Sequence, residues 1–181
     1  QGPYPRPPCK RCQACRIPRL TRPGKNRISI MLISDLLSPE RICCNVHSSS
    51  KKRLLELISI ELARNSDQIS QREIFESLCA RERLGSTGLG KGVAIPHGRV
   101  KGTQHVEASF FRLSKPLAFD ASDGEPVDLL FALAVPEDCG QDHLKRLAHI
   151  AELFSDPELL EELRTAKNSG QLLQLLSRTR H

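Results

Sequence analysis

"GSTGLGKGVAIPHG" occupies residues 85–98, and two readings compete for it. One is a nucleotide-binding P-loop; the other is a glycine-rich turn that leads into a strand and presents His97. A P-loop follows G-x-x-x-x-G-K-[ST] and joins a strand to a following helix. Gly85 to Lys91 satisfy seven positions, but the eighth is Gly92, so the hydroxyl that would ligand Mg²⁺ is missing. The flanks are also in the wrong order. Upstream, "SQREIFESLCARERL" predicts a helix over 71–83, with Ser70 and Glu73 as a capping box and Ile74, Phe75 and Leu78 at helical spacing. Downstream, "VAIPH" predicts a short strand over 93–96 stopped by Pro96. Helix, glycine loop, strand is not the order of a P-loop, and no nucleotide or other cofactor is expected.

Working outward, the remaining segments predict one α/β domain. "SDLLSPERICCNV" gives a helical turn near 34–38 and a strand near 41–46, and "SSSKKRLLELISIELARNS" an amphipathic helix with Leu54, Leu55, Ile58 and Leu62 on one stripe. "HVEASFFRL" (105–113) reads as a strand. "PLAFDASDGEPVDLLFALAVP" adds a short strand, an Asp-Gly turn and a continuous apolar strand at 128–135, which implies a central strand covered on both faces. "GQDHLKRLAHIAELFSD" predicts a helix with Leu144, Leu147, Ala148, Ala151 and Phe154 inward, and His149 packed on that stripe. Pro157 opens a helix over 157–166, and Ser169 is expected to cap a last one. The sum is a mixed five-stranded sheet with helices on both faces.

Charge divides the chain. Net charge is +6 overall, yet residues 1–30 carry eight Lys/Arg and no acid, whereas 31–181 carry nineteen against twenty-one Asp/Glu. The domain has no basic nucleic-acid footprint, and no apolar run approaches the roughly 18 residues of a membrane span. Residues 1–30 hold six prolines and few apolar side chains, a composition expected to stay disordered. The sole methionine, Met31, falls where composition changes, so the expected domain is 31–181 and the basic tail is read as non-native upstream sequence without a signal peptide's apolar region. Cys9, Cys12 and Cys15 form C-x2-C-x2-C, but an iron–sulfur pattern would need a fourth cysteine where Arg19 stands. Zinc would need a fourth ligand from elsewhere, so no metal is expected. Cys43, Cys44, Cys79 and Cys139 lack metal spacing and fit a reduced, cytoplasmic chain.

Pro96-His97-Gly98 carries the chemistry. A histidine ending a buried strand projects from the sheet edge, and Gly85, Gly88, Gly90, Gly92 and Gly98 offer turns and amides for an anion-binding concavity. Arg81 and Arg83 precede the loop and Arg99 follows it. A neutral imidazole is a good nucleophile towards phosphorus, and its N–P bond is labile enough to pass the group on. From spacing alone, two roles stand open for His97: phosphoryl relay, or a capping hydrogen bond at a strand end.

The string "ARERLGSTGLGKGVAIPHG", followed by "PLAFDASDGEPVDLLFALAVPEDCGQDHLKRL", resembles the enzyme IIA domains of the fructose/mannitol class of the bacterial phosphotransferase system, most closely the nitrogen-regulatory branch. The resemblance covers residues 31–178. It implies that His97 is phosphorylated on Nε2, that His143 in "QDHL" is the second active-site histidine and that Arg81 is the active-site arginine. It also implies a histidine phosphocarrier protein as phosphoryl donor and transporters or sensor kinases as regulatory targets. His143 is expected to donate a hydrogen bond to the phosphoryl group beside a helix N-terminus, its alternative being an exposed helix residue. Arg81 neutralises phosphate or sits as a solvated helix-end cation. Ser86 and Thr87 either donate hydroxyls or serve the turn. His47, His105 and His149 match no motif position. Besides regulatory phosphotransfer, two functions use the same His97: a sugar-transport IIA component that hands phosphate to a IIB domain, and a binding module whose affinity phosphate toggles.

Overall fold

The computed structural model describes residues 33–64, 69–140 and 142–178, all within the compact unit Met31–His181. The expectations for residues 1–30, for Cys9, Cys12 and Cys15, and for a start at Met31 lie outside the described residues.

A helical turn α1 (Ile33–Leu36) and a 3-10 turn (Pro39–Arg41) lead into strand β1 (Ile42–Val46). Helix α2 (Lys51–Ala63) starts behind Ser50, whose side chain accepts from the Arg53 amide. Helix α3 (Gln71–Arg83) has the Ser70–Glu73 capping box read from the sequence, with Ile74 and Leu78 buried. Both starts follow from local chemistry: the cap oxygens take orphan amides of the first turn.

The sheet has six strands where five were expected. The glycine segment itself forms β2 (Gly88–Gly90), and the strand read over 93–96 becomes β3 (Val93–Ala94). It does not end at Pro96: after an interruption at Ile95 and Pro96 the chain resumes as β4 (His97–Val100). Proline has no N–H to give a ladder, so a two-residue break separates two short strands that run along the same neighbour. That neighbour is β6 (Val127–Pro136), parallel to both, with Val93 opposite Leu129 and His97 opposite Leu133. The order is β1-β5-β6-β3-β2, with β4 also on β6. β5 (Glu107–Leu117) starts two residues later than expected and absorbs the separate short strand read in "PLAF"; its register shifts between Arg112 and Leu117, around Pro116. β5 is antiparallel to β6 and parallel to β1, and β2–β3 is an antiparallel hairpin.

β6 is covered on both faces, as its unbroken apolar run requires. Leu129, Phe131, Leu133 and Val135 pack with α4 (Asp142–Leu153), α5 (Pro157–Thr165) and α6 (Ser169–Leu176). Leu130, Ala132 and Ala134 pack against α2 and α3. Two helix details differ from expectation. The cap of α6 is Asn168, which accepts from the Gln171 amide, and Ser169 is already helical. Helix α4 is rotated by one residue: Leu144 is 57% exposed, Ala148 and His149 are exposed, and His143 is buried with Ile150 and Phe154. Positions 143, 147, 150 and 154 make the inward stripe.

Candidate functional site

The path from α3 to His97 is held by side chains that take the loop's polar groups. The Glu82 carboxylate accepts from the Thr87 amide at 3.2 Å and from its hydroxyl at 2.6 Å, and pairs with the Lys51 ammonium at 2.7 Å. Ser86 donates its hydroxyl to the Phe119 carbonyl at 2.7 Å and accepts from the Gly88 amide at 3.1 Å. The Lys91 amide donates to Asp123 at 2.7 Å. The Gly88 amide, one of the glycine amides expected to face an anion, is therefore engaged by a protein acceptor, as are its loop neighbours Thr87 and Lys91. Both loop hydroxyls, at Ser86 and Thr87, serve the turn.

Gly92 and Gly98 have packing reasons. At Gly92 φ is +78°, and a Cβ would lie 2.5 Å from Arg164 Nη2 and 2.7 Å from Asp128 Oδ1. Arg164 pairs with Asp128 at 2.8 Å and donates to the Lys91 carbonyl at 2.7 Å, fastening the hairpin tip. Gly98 permits a close approach of helix to strand: a Cβ there would meet Ser77 Oγ at 2.6 Å and the Leu78 amide nitrogen at 3.1 Å. Ser77 donates to the Arg99 carbonyl at 2.6 Å across that contact. The consequence is that α3 lies close enough to β4 for Arg81, at its end, to reach His97.

His97 is half-buried at the first position of β4. Its Nδ1 lies 2.8 Å from the Ile95 carbonyl, and Arg81 Nε lies 3.1 Å from its Nε2. A carbonyl only accepts and a guanidinium only donates, so Nδ1 bears the hydrogen and Nε2 presents a lone pair. The ring is neutral. Its pKa lies below the usual histidine value because burial disfavours the cation, and the Arg81 charge acts in the same direction. Arg81 also donates to the Gly85 carbonyl at 3.0 Å, so it is not a free solvated cation.

His143, at the start of α4, is 6% exposed, which removes the alternative of an exposed helix residue. Its Nδ1–H donates to the Gly140 carbonyl, and its Nε2 lies 3.0 Å from Arg99 Nη2. By the same donor logic Nε2 accepts. The expected role as a direct donor is therefore not available to the neutral ring, since its single N–H is held by Gly140. The Arg99 contact escaped the sequence reading. Its signal was strand alternation, which puts residues 97 and 99 on one face.

Among the described residues no group of three metal-ligating side chains is assembled, and no helix is long and apolar enough to cross a membrane. A groove of about 630 Å³ between α2 and α3 is lined by Leu55, Phe75, Glu76 and Cys79 among others, and by none of His97, His143, Arg81 or Arg99.

The family described as "Phosphoenolpyruvate-dependent sugar phosphotransferase system, EIIA 2" matches residues 35–179, and the chain belongs to it. Within it the chain is similar to proteins named nitrogen regulatory protein. That of Pseudomonas aeruginosa is 43% identical over 144 residues, covering 80% of this chain and 94% of the relative. That of Escherichia coli is 41% identical over 155 residues, covering 85% and 94%. The crystal structure of nitrogen regulatory protein IIA-Ntr from Neisseria meningitidis superposes with a TM-score of 0.76 at 42% identity, over 80% of this chain and 98% of that one. The mannitol IIA of Escherichia coli, at 20% identity and a TM-score of 0.66, shares the fold.

Proposed function

We propose that this protein accepts a phosphoryl group on His97 Nε2 from a histidine phosphocarrier protein and regulates partner proteins according to whether it is loaded. The observation that carries the reading is the fixed neutral tautomer, with Nδ1–H on the Ile95 carbonyl and a lone pair at Nε2 facing Arg81. Nε2 attacks phosphorus while the bond to the carrier's ring nitrogen breaks. His97 keeps its Nδ1–H and its ring takes a positive charge, which the Ile95 carbonyl stabilises; the carrier's ring leaves neutral. Protons balance, and exchange between two ring nitrogens leaves little bond energy to supply, so positioning and charge neutralisation do the catalysis. Arg81 moves from the lone pair onto the phosphoryl oxygens as the N–P bond forms.

A protein donor, working in the cytoplasm, fits the surroundings better than a small molecule. The site residues do not line the groove, and Leu84 (85% exposed) and Leu144 (57% exposed) stand next to the end of α3 and to His143. Exposed leucines beside a reactive group suit a docking face. The regulatory role rests on the relatives named nitrogen regulatory protein at 43% and 41% identity. Sugar-transport phosphate transfer to a IIB domain is the second reading; the mannosylglycerate-specific EIIABC component of Escherichia coli is 29% identical. Incubation with phosphoenolpyruvate, the first enzyme of the relay and its carrier, then phosphopeptide mapping, tests the acceptor. Acid-labile, base-stable label on His97 is expected; label that persists in His97→Ala refutes the assignment. Capture of lysate partners by loaded and unloaded protein, with a IIB domain as rival acceptor, separates the two roles.

A further inference from the structure

The two histidines carry one device. Each gives its Nδ1–H to a backbone carbonyl, Ile95 for His97 and Gly140 for His143, and each has an arginine over its Nε2 lone pair. For His97 this describes a nucleophile and its cover. For His143 it leaves a neutral ring that can accept but has no N–H to offer a phosphoryl oxygen. Arg99 differs: a guanidinium has five N–H donors, and His143 occupies only one contact of it. Arg99 is exposed, whereas His143 is 6% exposed, so the arginine is the member of the pair free to turn towards an incoming group. Strand alternation sends residues 97 and 99 of β4 out on one face, so the Arg99 guanidinium and the His97 ring emerge on the same side of the strand.

Resting on the phosphoryl-acceptor reading of His97, we propose that Arg99 is a second cationic ligand of the phosphoryl group and that buried His143 is its positioning residue. Gly140 fixes the His143 tautomer, the His143 Nε2 lone pair holds Nη2 of Arg99, and the remaining N–H groups of the guanidinium meet phosphoryl oxygens opposite Arg81. No proton moves in this arrangement. The dianion gathered between two arginines has its charge met from both sides, as planar guanidinium recognition of phosphate favours.

The test is the initial rate of phosphorylation by the charged carrier for Arg99→Ala, His143→Ala, His143→Gln and the double variant Arg99→Ala/His143→Ala. Circular dichroism confirms folding; Arg99 is exposed, so Arg99→Ala is the variant safest from structural damage. Loss of a charge-assisted contact made with the transferring group slows transfer by roughly ten- to a hundredfold. Arg99→Ala and His143→Ala should each show that loss, and the double variant should be no slower than the worse single. His143→Gln, whose amide oxygen can replace Nε2 as acceptor, should recover most of the rate. A wild-type rate in Arg99→Ala overturns the proposal, as do multiplying losses in the double variant or a failure of His143→Gln to rescue. Label elsewhere than His97 would instead refute the acceptor reading, which the same mapping detects separately.

Discussion

Gly98→Ala tests whether the approach of α3 to β4 is what assembles the site. The added Cβ would stand 2.6 Å from Ser77 Oγ, 3.0 Å from Ser77 Cβ and 3.1 Å from the Leu78 amide nitrogen. Rotating Ser77 relieves the first contact alone, and does so by giving up its 2.6 Å bond to the Arg99 carbonyl. The other two involve the helix itself. Carbon atoms pack at about 3.5–4.0 Å, so α3 must withdraw by roughly half an ångström. Overpacking of this kind costs about 1–3 kcal/mol, and the lost hydrogen bond about 1 kcal/mol more, for an expected total of about 2–4 kcal/mol. The same withdrawal stretches the 3.1 Å contact between Arg81 and His97, so phosphorylation should slow at least tenfold under conditions where the variant is fully folded. Urea denaturation and initial-rate measurements read the two effects. Ser77→Ala should cost less in the Gly98→Ala background than in the wild type, because there it also removes the nearest clashing atom. Unchanged stability and rate in Gly98→Ala, or strict additivity in the cycle, would refute the reasoning.

Arg81→Ala should leave the fold intact and slow loading of His97 by roughly ten- to a hundredfold, with Arg81→Lys intermediate, as stopped-time labelling would show. The reactive form of His97 is neutral and its pKa is held below the usual value near 6.5, so the acid limb of the loading rate should lie at lower pH than that of an unperturbed histidine, as a pH–rate profile would show. The same shift has a stability sign: below about pH 6.5 the unfolded chain binds a proton at His97 that the folded chain refuses. Stability should therefore fall as pH drops from 6.5 towards the folded midpoint, and less so in His97→Asn, compared by urea midpoints. Glu82→Ala strands the Thr87 amide and hydroxyl, while the Lys51 ammonium keeps Asp120 and the Phe119 carbonyl; a loss of about 2–4 kcal/mol is expected by denaturation.

What the sequence disclosed depended on how locally each feature is determined. The Ser70–Glu73 box closes within four residues, and the run 128–135 is apolar whatever surrounds it. Both were legible. Pro96 was read as a stop, which its chemistry allows, but β6 supplies acceptors and donors on both sides of it and the strand resumes. Helix α4 offers two apolar faces one residue apart. Pattern alone favours the one containing Leu144; the structure takes the one containing His143, because Arg99 and Gly140 satisfy that ring when it is buried. Those partners come from a strand 44 residues away and from a loop, and no periodicity reports them. The glycines were legible as a turn but not as a hairpin, since Gly92 answers to Arg164 and Asp128 from distant segments.

The likeness between the two histidines raises the matter of why one would be the nucleophile. Protonation does not distinguish them, because each gives up Nδ1–H to a carbonyl and shows Nε2 to an arginine. Access does. His97 is half-buried at the point where a strand restarts after a proline, whereas His143 is 6% exposed, beneath an arginine and inside the packing of α4. A phosphorus atom must reach Nε2 nearly in the ring plane, with its leaving group on the far side, and that needs open space only His97 has. Its cover is also the easier to remove. Arg81 is anchored independently by the Gly85 carbonyl and can tilt from the lone pair to the arriving oxygens without losing its place. On the proposed reading, burial thus selects His97 over His143 as the nucleophile, and the shared hydrogen-bond pattern leaves each ring's Nε2 as the lone-pair nitrogen.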